Sequence, residues 1–402
     1  MKIAVVGVKG LPPKQGGIEH YCAEVYPRIV AQGHSVDLYA RSSYTDLPAY
    51  YQHDFDGVKV ISLPCPGWRG FDAFFSSALG AITSSRKSYD IVHFHALGPS
   101  LFTSLPKIVS SSKIVVTCQG LDWQRDKWGN TSSQLILLGE KAAVRFADEI
   151  IVVSKALRNY FQETYSRDTV YIPNAPASFV DSDPAFSYGT SLGLTPNRYL
   201  VFLGRLVPEK CPDLLIKAFQ SLQLKDWKLV LVGGNSDASS FHSSLIKLAA
   251  DNANIVFAGE LLGKRLAEII RGAGLFVLPS KLEGLPLAML EAMQQGVPVL
   301  ASDIPPHQEL LENERGLLFE VGNLNHLQEQ IIWAINHQAE MTSMAEQARN
   351  YVLTHHSWET ITQKTLEVFE RLLAPDSTLY PSQVEAANLG ANKLISGTIQ
   401  ER

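Results

Sequence analysis

Short runs of Val, Ile and Leu alternate along this chain with longer stretches in which apolar residues recur every three or four positions. Stacked βαβ units produce that rhythm, because a strand covered on both faces needs no polar side while the covering helix keeps one. In the first half the pattern predicts strands at Lys2–Gly7, Ser35–Ala40, Val58–Leu63, Asp90–Phe94, Lys113–Cys118 and Glu149–Val153. Helical periodicity fills Ile18–Gln32, Pro99–Val109, Ser132–Ala147 and Lys155–Thr164. The rhythm breaks over Pro173–Arg198, rich in Pro, Ser, Asp and Gly, which reads as a linker. It restarts with strands at Tyr199–Leu203, Lys228–Val232, Asn254–Phe257, Leu275–Leu278 and Val297–Leu300. Helices are predicted at Asp213–Leu222, Ser239–Asp251, Gly263–Arg271, Pro286–Gln295, Asn325–His337, Met341–Leu353 and Trp358–Leu373. The polar, small-residue stretch Ala374–Arg402 reads as a mobile tail. Two doubly wound domains in this order would face each other across a cleft at the carboxyl ends of their strands.

Composition narrows the class. At 402 residues, 46% hydrophobic and 19% charged, the chain is long and apolar enough for two or three domains and too apolar for general disorder. Thirty-five basic residues against 40 acidic ones give −5, which excludes a nucleic-acid coat. The charge is uneven: up to Arg198 there are 19 basic and 17 acidic residues, and after it 16 and 23, hence +2 and −7. Cys22, Cys65, Cys118 and Cys211 lie far apart without a CxxC pair, as expected in a reducing cytoplasm. The opening run ending at Lys9 is too short for a signal peptide, and no later apolar run reaches a membrane-spanning length. The expectation is a soluble, cytoplasmic protein that touches the inner face of a membrane at most.

The segment Ser280-Lys281-Leu282-Glu283-Gly284-Leu285-Pro286-Leu287-Ala288-Met289-Leu290-Glu291 carries the most chemistry. It follows an apolar strand and opens a helix, with Pro286 suited to the first turn. Backbone N–H groups around Gly284, Leu285 and Leu287, together with the helix dipole, suit a phosphate. Glu283 stands just before that site, and Glu291 about 7–8 Å further along the helix axis. Two carboxylates flanking an anion site can grip a sugar on one side and a ribose on the other. Either Glu alone is explained as well by solvent or by the helix dipole; the pair in this setting is not.

The spacing Glu283-x7-Glu291 within EGLPLAMLEAM resembles the signature of retaining GT-B glycosyltransferases of family 4. The resemblance runs from Lys2 to about Leu373. It implies two Rossmann-like domains, 1–185 binding the acceptor and 186–356 binding a nucleotide diphosphate sugar. It also implies a helix over 357–375 crossing back to the first domain, with 376–402 as tail. By the same resemblance Glu283 contacts the transferred sugar and Glu291 holds the ribose. Phe202-Leu203-Gly204-Arg205-Leu206-Val207-Pro208-Glu209-Lys210 is similar to the family's GR-x4-K element, in which both cations neutralise the departing diphosphate. Gly16-Gly17 is similar to a glycine loop lying against donor and acceptor, although a plain turn explains two glycines equally well. His95, which shares a strand face with His93, matches the active-site histidine beside the sugar. Cys118-Gln119-Gly120-Leu121-Asp122 resembles a loop usually written HGxD, with Gln119 in place of His and Asp122 as a sugar or acceptor ligand. Pro173-Asn174-Ala175 resembles the family's PNG and reads as structural.

The implied reaction moves a hexosyl group to a hydroxyl acceptor, a glycan or a lipid-linked one, with retention by same-face attack. Positive side chains and helix amides stand where other transferases use a metal. Asp54-Phe55-Asp56 and Asp181-Ser182-Asp183 both spell the DxD of metal-dependent transferases, but two aspartates in a loop are ordinary turn formers. No metal and no cofactor are therefore expected. Alternatives of other classes are a nucleotide-sugar epimerase and a silent sugar-nucleotide-binding protein; a phosphorylase would need a pyridoxal lysine motif, which is not seen. Trp68, Phe71, Phe74, Phe75, Leu79 and Ile82 form a helical apolar stripe near Arg69, Arg86 and Lys87. That stripe faces the core or, by analogy with relatives that modify lipids, a membrane.

Overall fold

The computed structural model describes residues 1–14, 16–65, 72–124, 130–177, 181–234, 239–250 and 252–374. The tail expected from 376 onward lies outside them, as do Trp68, Arg69 and Phe71.

Two sheets organise the chain. The first contains β1 (Lys2–Val6), β2 (Ser35–Arg41), β3 (Gln52–Phe55), β4 (Val58–Leu63), β5 (Ile91–His95), β6 (Lys113–Cys118), β7 (Glu149–Val152) and β8 (Val170–Tyr171). Their spatial order is β3-β4-β2-β1-β5-β6-β7-β8. The second contains β9 (Tyr199–Leu203), β10 (Lys228–Val232), β11 (Ile255–Gly259), β12 (Leu275–Leu278), β13 (Val299–Ser302) and β14 (Leu317–Phe319), ordered β11-β10-β9-β12-β13-β14. Every pairing is parallel except β3 with β4. In each sheet the order reverses beside the first strand of the half, β1 or β9, which is the switch point where doubly wound sheets leave a crevice. The central strands β5 and β12 are buried from end to end and β6 beyond its first residue, as their continuous apolar runs predict.

Three strands escape the pattern, each for a local reason. Strand β3 is polar and lies at an edge, paired through a hairpin at Asp56-Gly57 where both residues take positive φ (47° and 83°). The other two, β8 and β14, are two and three residues long and too short to show a period. The supposed linker is also more ordered than its composition suggests. It holds the helix Ser187–Ser191, Phe186 and Tyr188 pack on the second core, and Arg271 Nη1 donates to Ser182 Oγ (2.9 Å).

The apolar stripe is corrected. Within the helix Asp72–Ser85 the small residues Ser76, Ser77, Gly80, Ala81 and Ser84 are the buried ones, which lets the helix sit close on β1 and β2. Phe74 and Phe75 remain exposed (38% and 41%), with Phe74 edge-on to Phe102 (centroids 4.9 Å). Among the described residues no helix is long and apolar enough to cross a membrane.

The last helix, Trp358–Leu373, returns from the second half to the first sheet. Its Trp358, Ile361, Leu366, Val368 and Phe369 join the core beneath the helix Gly17–Ala31, and Arg371 pairs with Glu149 (2.6 Å). The two chain crossings are tied together: His356 Nδ1–H donates to Asn174 O (2.8 Å) and Trp358 Nε1–H to Pro176 O (3.1 Å).

Candidate active site in the cleft

The two halves meet where their strand ends face each other. Gly284, six residues after β12, lies so close to the loop after β6 that a Cβ on it would fall 1.9 Å from Gln119 O. Only a glycine permits that backbone approach. Around this contact Gly120, Leu121, Arg205, Glu209, Lys210, Leu282, Glu283 and Gly284 line one pocket. The structure thus brings together Arg205, Lys210, Glu283 and Gly284, which lie on two segments about 75 residues apart in sequence.

Lys210 Nζ donates to Glu283 Oε1, and both side chains are largely enclosed (17% and 8% exposed). Burial by itself would raise the Glu283 carboxyl. The Lys210 ammonium, at hydrogen-bond distance, outweighs it and holds the group below the usual carboxylate range. Behind Glu283, His307 Nδ1–H donates to Ser302 O (2.8 Å), and Ser302 Oγ–H to Ser280 O (2.5 Å). Burial pushes His307 down to about 4, so it stands neutral. This backing was invisible in sequence, since Ser302 and His307 reach the site only through β13 and the helix Pro305–Leu311.

On the other strand end, Arg205 Nη2 lies 3.9 Å from Glu209 Oε1. Glu209 O accepts from Lys281 N (2.9 Å), which fastens the loop after β9 to the loop after β12. The helix Leu287–Gln294 starts at the expected place, and its first engaged amides are those of Met289 and Leu290, both to Pro286 O (3.0 and 3.1 Å). The amide of Leu287 precedes these and faces out of the helix N-terminus, as every first-turn amide does. Leu285 instead packs in the seam between the two cores. Glu291 reaches toward the backbone of Ala177; burial pushes its carboxyl up to about 7, a rise the Ala177 hydrogen bond only partly offsets.

Gly16 holds φ 103° at the start of the helix Gly17–Ala31, where a side chain would meet the carboxylate of Glu19. Glu19 folds back to accept from Lys9 N (3.0 Å), so it braces the loop. Gly17 touches the second domain: a Cβ there would stand 2.9 Å from Leu287 Cδ1. Asp122 opens the short turn Asp122–Gln124 beside the pocket's Leu121. Gln119, in the place of the usual His, accepts from Asn174 Nδ2 (2.7 Å), so here it orders the crossing segment.

His95 is not among the residues lining the pocket with Glu283. Alternation along β5 turns both His93 and His95 under the helix Gly17–Ala31, where each is fully buried. Tyr26 OH bridges them (2.9 Å to His93 Nδ1, 2.6 Å to His95 Nε2), and Tyr21 stacks at a tilt over His95 (5.4 Å). Burial pushes the His95 imidazole down to about 3. The two DxD sequences serve turns: Asp54 Oδ1 accepts from Gly57 N (3.1 Å), and Asp183 Oδ1 from Ala185 N (2.9 Å).

Residues 191–351 match the family model for glycosyl transferases group 1, and residues 15–175 match that for glycosyltransferase family 4. The α-maltose-1-phosphate synthase of Mycolicibacterium smegmatis is 27% identical over 79% of this chain and 89% of its own length. A GDP-mannose-dependent monoacylated α-(1-6)-phosphatidylinositol monomannoside mannosyltransferase of Corynebacterium glutamicum is 23% identical over 91% and 97%. Among solved structures, sucrose-phosphate synthase of Thermosynechococcus elongatus superposes with a TM-score of 0.78 at 21% identity, covering 92% of this chain and 98% of that one. Anabaena HepE, solved with UDP and glucose, superposes at 0.74 and 20% identity, covering 92% and 100%.

Proposed function

The chain belongs to the group 1 glycosyltransferases of GT-B fold, and from that premise we propose that it transfers a hexosyl group from a nucleotide diphosphate sugar with retention of configuration, without a metal. The observation that carries this reading is the buried Lys210–Glu283 pair at the meeting of the two domains. It sets a cation for a departing diphosphate beside an ionised carboxylate for the sugar, with Arg205 on the same pocket wall. In this reading Arg205, Lys210 and the amides around Gly284 and Leu287 stabilise charge on the leaving group, which is the part a metal would otherwise play. Glu283 orients the sugar and favours positive charge developing on it, and Glu291 takes the ribose. The leaving phosphate oxygen accepts the acceptor proton on the face it departs from. His95 supports the first domain from within. Gly16 and Gly17 lie against the donor phosphate and the acceptor, and Asp122 takes the sugar or the acceptor, a glycan or a lipid-linked one. The exposed Phe74 and Phe75 favour contact with a membrane that carries such an acceptor. HepE solved with UDP-glucose and starch synthase IV solved with ADP favour a nucleotide-linked donor.

The test is turnover of UDP-glucose, ADP-glucose and GDP-mannose, followed by release of nucleoside diphosphate with and without EDTA, and by NMR of the product anomer. One donor is expected to turn over equally in EDTA, with the anomeric configuration kept. Glu283→Gln is expected to lower kcat/KM about 100-fold or more at an unchanged melting temperature. Strict manganese dependence or an inverted anomer would sink this mechanism. Binding without turnover would make the protein a silent sugar-nucleotide binder, and C-epimerised donor would make it an epimerase.

A further inference from the structure

A second carboxylate stands in the same pocket without a use. Glu209 is only 5% exposed, and among the described residues neither of its carboxylate oxygens has a hydrogen-bond partner. The Arg205 guanidinium is 3.9 Å away, too far to donate, and the neighbouring Lys210 is already committed to Glu283. A buried carboxylate lacking donors is costly to keep, and folded proteins leave few of them. Its position is not an accident of a loose loop. The Glu209 carbonyl is bonded to Lys281 N (2.9 Å), which locks the turn Pro208–Lys210 to the segment bearing Glu283.

The charges in the pocket sort its possible ligand groups. A phosphate is drawn to Arg205 and Lys210 and repelled by Glu209. A carboxylate with unused lone pairs accepts hydrogen, and a sugar ring carries several O–H donors on adjacent carbons. Glu209 also lies on the domain that holds the diphosphate-binding cations, one residue from Lys210. We propose that Glu209 is a specificity-determining ligand of the transferred sugar, accepting hydrogen bonds from its ring hydroxyls beside Glu283. This rests on the cleft being a nucleotide-sugar site. Binding of the hydroxyl-bearing sugar then supplies hydrogen-bond donors to Glu209.

Isothermal titration of wild type, Glu209→Gln and Glu209→Ala tests this, using UDP-glucose, ADP-glucose and GDP-mannose, each against its bare UDP, ADP or GDP. The expected result is about 10- to 100-fold weaker binding of the nucleotide sugar in both variants, the size of one or two hydrogen bonds to a charged group. Binding of the bare diphosphate stays within about twofold, which also shows that the variants are folded. Equal shifts for sugar nucleotide and bare nucleotide would mean that Glu209 acts only through Arg205, and would overturn the proposal. Unchanged binding of both would overturn it as well. If wild type bound none of the six compounds, the donor-site reading would itself fail and take this proposal with it; the first two outcomes leave that reading standing.

Discussion

Glu283 and Glu291 belong to one short segment yet sit in opposite electrostatic settings. Glu283 has a cation at its oxygen and is held ionised, whereas Glu291 is half-buried with little more than a backbone N–H, and burial pushes it up to about 7 from its ordinary 4.5. A carboxyl raised in this way binds a proton in the folded protein that the unfolded chain has already lost between those two values. Its contribution to stability is therefore fully present below about 4.5 and is lost as the pH rises through about 7. Thermal melts of wild type between about pH 5 and 8 are expected to show a decline equivalent to about 1–3 kcal/mol that Glu291→Gln lacks. Parallel profiles for the two proteins would contradict the assignment. In the proposed ribose contact the carboxylate form of Glu291 is the one that accepts hydroxyls, so wild-type affinity for UDP is expected to climb with pH over the same window. At this scale the residue types at Arg205, Lys210, Glu283 and Glu291 were legible, because their chemistry depends on spacing along one loop or helix. The state of each group was not, because it depends on partners far along the chain, Lys210 for Glu283 and the Ala177 backbone for Glu291.

The elements were read well wherever both faces of a strand are covered or a helix has one apolar stripe. The helix Trp358–Leu373 has the same ends in pattern and structure, since Ser357 caps it through Thr360 N (3.3 Å) and its stripe lies on the first core. The pattern misled at the helix Asp72–Ser85, where the buried side is made of small residues and the large aromatics face outward. Hydrophobic size and burial part company when a helix must sit close on a sheet. The loop between β12 and the helix Leu287–Gln294 shows the same principle in backbone. Gly284 abuts Gln119 O, so Gly284→Ala must push the loops after β6 and β12 apart by an ångström or more. The expected result is a loss of about 100-fold in kcat/KM, from misplacing Glu283 against the first domain. Small-angle scattering should show a wider average cleft, with little change in melting temperature. Full activity in that variant would show that the close approach is dispensable.

At the scale of the whole molecule, polar ties away from the pocket also join the two domains. Glu309, largely enclosed in the second domain, accepts from Lys155 N (2.9 Å) and from Tyr171 OH (3.0 Å) in the first. Lys155 opens the helix Lys155–Tyr165, so the carboxylate also sits at a helix N-terminus, where a negative charge is favoured. Losing these bonds should shift the balance between closed and open cleft by about 1–3 kcal/mol. Glu309→Ala is thus expected to raise KM for the donor about tenfold or more, and to increase amide exchange at 155–157 without unfolding either core. An unchanged KM and unchanged exchange would show that closure rests on the pocket alone. Periodicity was enough for two doubly wound domains and the order of their strands along the chain, because these follow from local burial, and motif spacing was enough to point to the segments proposed here to bind a nucleotide sugar. Only the tertiary structure decided which charges are paired, that His95 turns inward, that the Glu209 carboxylate accepts no hydrogen bond among the described residues, and that Gly284 meets Gln119 across the cleft. Those outcomes depend on distances between residues far apart in the chain, and no local pattern records them.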